Sequence, residues 1–234
     1  MTSATPAPTP VPGPARIRTH VLVPVAFADG FETMARVFTF DGLVDGREHL
    51  AFGLGDRAGA LASEGHRGRP PLVRPHSECL TGDVFGSQRC DCGPQMREAV
   101  ERIAEVGGFL LYLRQEGRGI GLYAKLDAYA LQDAGMDTYE ANLALGYSAD
   151  ERDYTAAAQM VHALGLSRVA LLSNNPDKAA QLSRLGVVVT ERVSTGVHLS
   201  AANARYLATK ARRGAHRLDV PLTGPHTQGL AGGA

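Results

Sequence analysis

The segment 94–113 constrains the fold most strongly, because a helical pattern passes directly into a strand pattern there. Apolar residues recur at the spacing of one helix face, after a proline that suits the first helical position. A Gly-Gly pair ends this pattern, and an uninterrupted apolar run follows. The residues are Pro94, then Met96, Val100, Ile103 and Ala104, then Gly107 and Gly108, then 109–113. The segment therefore predicts a helix that leads into a buried strand.

Short alternating segments precede this region, and helix and strand patterns alternate after it. Further strands are predicted at 19–26, 34–40, 49–53, 169–172 and 187–189. Further helices are predicted at 123–131, at 155–164 and from Asn175-Pro176 onward. The sequence therefore predicts an α/β (mixed α+β) fold, in which N-terminal antiparallel strands are followed by alternating helices and strands.

Composition sets the predicted boundaries and excludes several classes of protein. Residues 1–15 hold five of the 13 prolines and predict a disordered tail, and residues 221–234, rich in glycine, predict a flexible one. A single folded domain is expected over 16–220. Lys+Arg and Asp+Glu are both 24, so no large basic field is available for nucleic acid. No apolar run reaches the ~20 residues of a membrane span, and the odd number of cysteines argues against a disulfide scaffold, so a cytoplasmic protein is expected.

All three cysteines, Cys79, Cys90 and Cys92, fall within 14 residues in a C-x10-C-x-C pattern. Thiolates are soft ligands that suit zinc, and a three-cysteine set leaves the fourth tetrahedral position for the water of an open catalytic site. His76 is an alternative fourth ligand, which would make the site closed and structural. Buried thiols without a metal are a further alternative. Asp91 argues against that last reading, because a carboxylate beside thiolates is not expected to be buried.

A second segment with charged residues and glycines, RQEGRGIG at 114–121, directly follows the apolar strand. Glycines at a strand end let the backbone approach a ligand closely, and Arg114 and Arg118 can bind phosphate bidentately. The segment is neither a Walker A loop nor a dinucleotide-binding loop, because the required spacings are absent. It predicts a phosphate-binding turn, with a surface turn carrying solvated arginines as the alternative.

Six stretches carry a resemblance to a known family. They are RPHSECLTGDVFGS at 74–87, RCDCG at 89–93, LRQEGRGIGL at 113–122, AYALQD at 128–133, EAN at 140–142 and DERDY at 150–154. In this order they closely resemble GTP cyclohydrolase II, over about residues 39–218. A monofunctional form is expected, without the dihydroxybutanone phosphate synthase domain that many bacteria fuse ahead of it, because the first motif begins at Arg74.

The resemblance implies a zinc enzyme that opens the imidazole ring of GTP. Its products are formate, pyrophosphate and 2,5-diamino-6-ribosylamino-4(3H)-pyrimidinone 5′-phosphate, in the first step of riboflavin biosynthesis. Zinc chemistry suits this reaction, because a water on a three-cysteine zinc becomes a strong nucleophile near neutral pH. Mg²⁺ is expected with the GTP phosphates, and since the family is typically dimeric, a homodimer is expected.

The resemblance also assigns roles to individual residues. Arg152 matches a nucleophile that attacks the α-phosphorus, Asp150 matches its proton acceptor, and Tyr129 matches a catalytic tyrosine near the zinc. Taken without the motifs, Asp150 and Arg152 would be interpreted as a surface ion pair. The zinc ligands of the family match Cys79, Cys90 and Cys92. Its substrate contacts match Arg74, Pro75, His76, Ser77, Glu78, Gln95, Glu116, Gly117, Arg118, Thr138, Ser173 and Lys178.

Two alternatives to the full reaction stay open. Tyr147 stands where the family often has Phe or Met, and a hydroxyl there would let hydrolysis stop at the 2-amino-5-formylamino-6-ribosylamino-pyrimidinone 5′-phosphate stage. A catalytically silent, zinc-stabilised nucleotide-binding protein is the alternative from another functional class. Composition adds a small hint about binding: the chain has 21 arginines and three lysines, so Lys178, just after Asn-Asn-Pro, is unusual.

Overall fold

A computed structural model describes residues 14–59, 69–148, 150–200 and 203 of the chain. The predicted C-terminal tail, and the predicted N-terminal tail up to residue 13, lie outside the described residues. The strands are β1 (Arg16–Ala26), β2 (Glu32–Asp41), β3 (Leu50–Leu54), β4 (Leu72–Ser77), β5 (Gly108–Leu113), β6 (Arg168–Leu172) and β7 (Val188–Val193). The helices are α1 (Leu80–Asp83), α2 (Cys92–Val106), α3 (Leu122–Asp133), α4 (Thr138–Ala144), α5 (Thr155–Ala163) and α6 (Pro176–Arg184).

The seven described strands form one mixed sheet in the order β1-β2-β3-β5-β4-β6-β7. The pairs β1–β2, β2–β3 and β3–β5 are antiparallel, as the N-terminal patterns predict. The pairs β5–β4, β4–β6 and β6–β7 are parallel, with Val73 of β4 opposite both Phe109 of β5 and Leu171 of β6. The predicted mixed α/β fold is confirmed.

Helices cover both faces of the sheet, and the alternation of side chains along the strands supplies both cores. Leu110 and Leu172 face α2 in one apolar cluster, while the adjacent Leu111 and Leu171 face α5 and α6 in the other. Each fully buried leucine contributes about 1.5–3 kcal/mol relative to an exposed one. In the described ranges, none of the helices combines the length and the apolar character that a membrane span requires.

Three elements escape the sequence analysis: strand β4 and the short helices α1 and α4. Strand β4 carries Arg74 and His76 at buried positions, so it lacks the apolar run that signals a parallel strand. Helix α4 is only seven residues long, too short for a clear periodicity. Its start nevertheless carries a capping box between Asp137 and Glu140, which is a signal readable in the sequence.

Candidate active site

The candidate active site lies at the carboxyl ends of the adjacent parallel strands β5, β4 and β6. Strand β4 is followed by Glu78 and Cys79, strand β5 by the loop that contains Glu116, and strand β6 by Ser173 and Asn174. Because parallel strands end at the same edge of a sheet, segments far apart in the chain meet there. All five residues line a single pocket.

The three cysteines converge in the segment 79–92, called here the cysteine turn. Their sulfurs lie within 4.8 Å of one another, and Cys79 Sγ and Cys90 Sγ are 3.6 Å apart. A tetrahedral zinc ion with Zn–S bonds of about 2.3 Å places two sulfurs about 3.8 Å apart. Within the described ranges, this is the one set of three or more His, Cys, Asp or Glu side chains close enough to hold an ion. The donor set and its spacing fit zinc.

Gly82 of α1 provides the room for these sulfurs. A Cβ at this position would lie 2.7 Å from Cys90 Sγ and 3.1 Å from Cys79 Sγ. Any larger residue at position 82 would therefore occupy the space that the sulfurs of Cys79 and Cys90 need.

We expect Gly82→Ala to weaken zinc binding by at least about 10–100-fold, because the added methyl group displaces two ligand sulfurs. Competition with a chromophoric chelator measures the affinity, and circular dichroism checks the fold. Gly86→Ala is the control. It places alanine at a φ of +65°, which strains the backbone, but its Cβ meets nothing within 4 Å, so zinc binding should persist. Undiminished zinc affinity in Gly82→Ala would contradict this steric role of Gly82.

The protonation of the cluster also favours a cation. Hydrogen bonds with Cys90 and Cys92, and then the charge of Lys125, lower the pKa of the Cys79 thiol. The hydrogen bond with Cys79 raises the pKa of Cys90 to about 11, and the pKa of Cys92 also rises well above its usual value. One thiolate thus suppresses ionisation of the other two. A divalent cation removes this repulsion and allows all three thiols to ionise.

His76 does not complete a closed metal site. Its Nε2 lies 3.1 Å from both carboxylate oxygens of Asp83, and its ring stacks on Tyr112. Burial lowers the pKa of His76 more than Asp83 raises it, so the ring is neutral at pH 7. Asp83 Oδ2 also accepts a hydrogen bond from the backbone N–H of Cys79 at 2.9 Å. The His76–Asp83 pair therefore supports the backbone of the cysteine turn.

Asp91 is buried, with 1% of its surface exposed, so the expectation that it would not be buried is wrong. Its carboxylate accepts a hydrogen bond from Gln95 Nε2, one helical turn further along α2. Gln95 Oε1 in turn accepts one from Arg74 Nη2 at 2.8 Å, and Arg74 Nη1 donates to the Leu172 carbonyl at 3.1 Å. Burial is tolerated because this chain of polar groups leads to a buried cation.

The glycine-rich loop, residues 114–121, folds as a tight turn against the segment that carries Arg152. Gly117 and Arg118 both adopt left-handed backbone conformations with φ of 62°. Such a conformation costs a non-glycine residue about 1–3 kcal/mol. The Arg118 carbonyl accepts a hydrogen bond from the Glu151 N–H at 3.0 Å, and a Cβ on Gly119 would lie 2.9 Å from the Glu151 carbonyl. Only a glycine at position 119 permits this contact.

Arg152 and Asp150 form a bidentate pair beside the pocket. Arg152 Nε donates to Asp150 Oδ1 at 2.8 Å, and Nη2 donates to Oδ2. Burial opposes ionisation of Asp150, but Arg152 holds the pKa of this carboxyl below its usual value. The Arg152 side chain is 15% exposed and lines the pocket. The Asp150 side chain is 37% exposed, so the pair has a largely enclosed guanidinium and a carboxylate that reaches solvent.

Most of the residues predicted from the sequence line this one pocket. Pro75 and Asp150 do not line it themselves: the Pro75 carbonyl accepts a hydrogen bond from Lys178 Nζ at 2.8 Å, and Asp150 contacts Arg152. The predicted residues in the lining are Cys79, Cys90, Cys92, Tyr129, Arg152, Arg74, His76, Ser77, Glu78, Gln95, Glu116, Gly117, Arg118, Thr138, Ser173 and Lys178.

Comparison with known proteins gives the family of the chain. The family model for GTP cyclohydrolase II matches residues 22–194. The chain belongs to the GTP cyclohydrolase II family. The GTP cyclohydrolase-2 of Vibrio vulnificus (strain CMCP6) is 50% identical over 186 residues, which cover 80% of this chain and 90% of that protein. The enzyme of the same name from Vibrio cholerae serotype O1 is 49% identical with the same coverage. The riboflavin biosynthesis protein RibBA of Bacillus velezensis is 52% identical over 184 residues, or 78% of this chain and 44% of that protein.

In this member of the GTP cyclohydrolase II family, the surroundings of Tyr129 keep its hydroxyl group protonated, as a hydrogen-bond donor. Burial raises the pKa of its phenol to about 12, so the hydroxyl is protonated at neutral pH. The Arg89 guanidinium lies 4.4 Å from the ring centroid and Lys125 Nζ lies 5.7 Å from it. Two cations on one ring hold it in place beside the pocket.

The sequence analysis missed several lining residues of the GTP cyclohydrolase II site. Asn174 and Thr195 close one wall: Asn174 Nδ2 donates to Thr195 Oγ1 at 2.9 Å, and the Thr195 N–H donates to Asn174 Oδ1 at 3.0 Å. Neither residue belongs to a motif with a stated chemical role. Lys125 also lines the pocket, and the rarity of lysine in this chain is the signal that could have found it.

Proposed function

We propose that this protein catalyses the GTP cyclohydrolase II reaction, which opens the imidazole ring of GTP and releases formate and pyrophosphate. The observation that carries the proposal is the shared pocket: the cluster of Cys79, Cys90 and Cys92 and the Arg152 side chain both line it. Family membership supports the same activity. When bound, zinc supplies Lewis-acid activation of water for attack on the guanine ring.

The pocket has the charge needed for a triphosphate. Its lining includes the cations Arg74, Arg118, Arg152 and Lys178, drawn from four different segments. Arginine binds phosphate bidentately, and buried cations bind it more strongly than solvated ones. In the proposed reaction these side chains orient the phosphates, and Mg²⁺, when bound with GTP, would offset the negative charge of the departing pyrophosphate.

Arg152 and Asp150 supply the phosphate step in this proposal. A guanidinium is a weak nucleophile because its pKa exceeds ~12, so it must pass a proton to a base as it reacts. Asp150 is that base: its carboxylate is ionised and accepts a hydrogen bond from Arg152 Nε. The N–P bond forms at the α-phosphorus, the bond to pyrophosphate breaks, and the guanidinium proton moves to the Asp150 carboxylate. Tyr129 donates a hydrogen bond to the charge that develops as the ring opens.

The experiment that tests the function is product analysis with metal-replete protein, GTP and Mg²⁺. Mass spectrometry identifies the pyrimidinone, and formate and pyrophosphate are quantified separately. We expect equal amounts of formate and pyrophosphate together with the diamino product, and no ring opening or formate release by zinc-depleted protein. Unchanged GTP in the metal-replete sample would favour a nucleotide-binding protein without turnover.

Pyrophosphate without formate would instead indicate that the reaction stops at the formylamino stage. The geometry gives this alternative no support, because Tyr147 does not line the pocket and its backbone N–H donates to the Asn142 carbonyl.

The homodimer, the cytoplasmic location and the absence of nucleic-acid partners stay predictions. Edge strand β1 is compatible with a second copy, since it exposes Val21 and Leu22.

A further inference from the structure

Lys125 is a buried lysine of α3 whose ammonium group contacts the cysteine turn. It is 7% exposed, and a lysine is rarely buried without partners for its charge. Its ammonium group has three N–H donors, and each has an acceptor. The acceptors are Glu116 Oε1 at 2.9 Å, Thr81 Oγ1 at 2.9 Å and Cys79 Sγ at 3.2 Å. One buried charge thus joins a zinc-binding sulfur to the glycine-rich loop.

Glu116 extends this connection on the side of the loop. Its Oε2 accepts a hydrogen bond from the Leu80 N–H at 2.7 Å, and its Oε1 accepts one from the Gly117 N–H at 2.8 Å. The stem of Lys125 packs closely here, since a Cβ on Gly117 would lie 3.0 Å from Lys125 Cβ. The Lys125–Glu116 pair therefore holds the cysteine turn and the glycine-rich loop in one relative position.

The residue type at position 125 fits this geometry. The three donors of an ammonium group point in tetrahedral directions and can reach acceptors on three sides of one nitrogen. A guanidinium directs its donors within one plane. The chain has 21 arginines and three lysines. Lysine is therefore the rarer basic residue in this chain, and its presence at position 125 is unusual.

We propose that Lys125 is a positioning residue of the zinc site, whose ammonium group fixes the Cys79 sulfur against the glycine-rich loop and offsets thiolate charge. The inference rests on the proposed function, because it takes the three cysteines to hold zinc. Three thiolates around one Zn²⁺ leave one net negative charge, which Lys125 faces at hydrogen-bond distance. A thiolate that accepts a hydrogen bond donates less electron density to its metal, so the same contact strengthens the Lewis acidity of the ion.

Lys125→Met tests the proposal, because methionine has similar length but neither charge nor donor. In cobalt(II)-substituted protein, we expect the sulfur-to-cobalt charge-transfer absorption to move to lower energy, since the Cys79 sulfur loses a hydrogen bond. Zinc affinity, measured by competition with a chromophoric chelator, should fall about 10–100-fold. Both readouts use the metal alone. Normal metal binding without GTP conversion in the wild type would therefore reject the proposed function and leave this test intact.

Lys178→Met is the matched control. It removes the other buried lysine in the described part of the chain, which is 5% exposed and donates to the Pro75 carbonyl. We expect its cobalt absorption and zinc affinity to match the wild type. A control variant that shifts as much as Lys125→Met would mean that any lost buried charge disturbs the site, and would overturn the specific role of Lys125.

Lys125→Arg decides the matter if Lys125→Met does not fold, because arginine keeps the positive charge beside Glu116. Its planar group cannot reproduce the three-sided contact, so we expect a smaller shift in the same direction and a smaller loss of zinc affinity. Wild-type cobalt absorption and wild-type zinc affinity in the folded variant would overturn the proposal.

Discussion

Arg152→Ala is expected to abolish pyrophosphate release and ring opening together, each by more than about 10³-fold. In the proposed reaction the guanidinium forms the new bond to the α-phosphorus, so neither product forms without it. The bidentate pairing with Asp150, which holds the guanidinium beside the pocket, supports this role. Separate quantification of pyrophosphate and formate in one time course measures both losses.

Three further variants separate chemistry from charge. Arg152→Lys keeps a positive charge for GTP binding but loses the paired nitrogens, so binding should persist while turnover is lost. Asp150→Asn removes only the proton acceptor, and we expect a loss of about 10²–10⁴-fold. Arg16→Ala is the matched control, because Arg16 of the exposed edge strand β1 pairs with Asp41 of β2. The activity of this variant should equal that of the wild type.

Pyrophosphate release at the wild-type rate in Arg152→Ala would exclude this arginine as the nucleophile. The Asp150–Arg152 pair would then be a structural ion pair that holds its segment against the glycine-rich loop. Equilibrium binding of GTP to the variant completes the comparison, because lost binding alone would raise KM and leave the maximal rate measurable at high GTP.

The parts of the fold that the sequence predicted are those whose signals are local. Helix α2 and strand β5 follow from the periodicity of 94–113, and the helix begins only two residues before the predicted Pro94. Strand β4 was not predicted, because its polar side chains form hydrogen bonds with residues that are distant in the sequence. Arg74 donates to Gln95 in α2 and to the carbonyl of Leu172 in β6, and neither partner can be identified from the sequence around Arg74.

The candidate site divides in the same way. The cysteine spacing indicated a metal site, and the motifs gave the residues that now line one pocket. The contacts that support those residues are tertiary. Lys125 lies 46 positions from Cys79, and Gly82 is needed only because two sulfurs approach it in space. Buried Asp91 was wrongly expected to be exposed because its hydrogen bond to Gln95 depends on where α2 begins.

Cys90→Ser is expected to lose ring opening while retaining pyrophosphate release and the fold. Serine is a hard, weakly acidic ligand, so the substitution removes one of three thiolates, and zinc occupancy should fall far below one per chain. In the proposed reaction, ring opening requires the metal. The phosphate step, in contrast, depends on Arg152 and Asp150, and the Cys90 variant leaves both in place.

Retention of the fold is the decisive part of this prediction, because a structural zinc would make folding depend on the metal. The geometry favours a metal that the fold does not need. Helix α2 carries the cysteine turn at its first residue, but it is fixed to the sheet further along by Val100 and Ile103, in a core cluster that contains no cysteine. Circular dichroism and thermal unfolding of Cys90→Ser should therefore resemble those of chelator-treated wild type, with a cooperative transition in both. Unfolded protein in both samples would assign the three cysteines a structural role, and would leave ring opening without its metal.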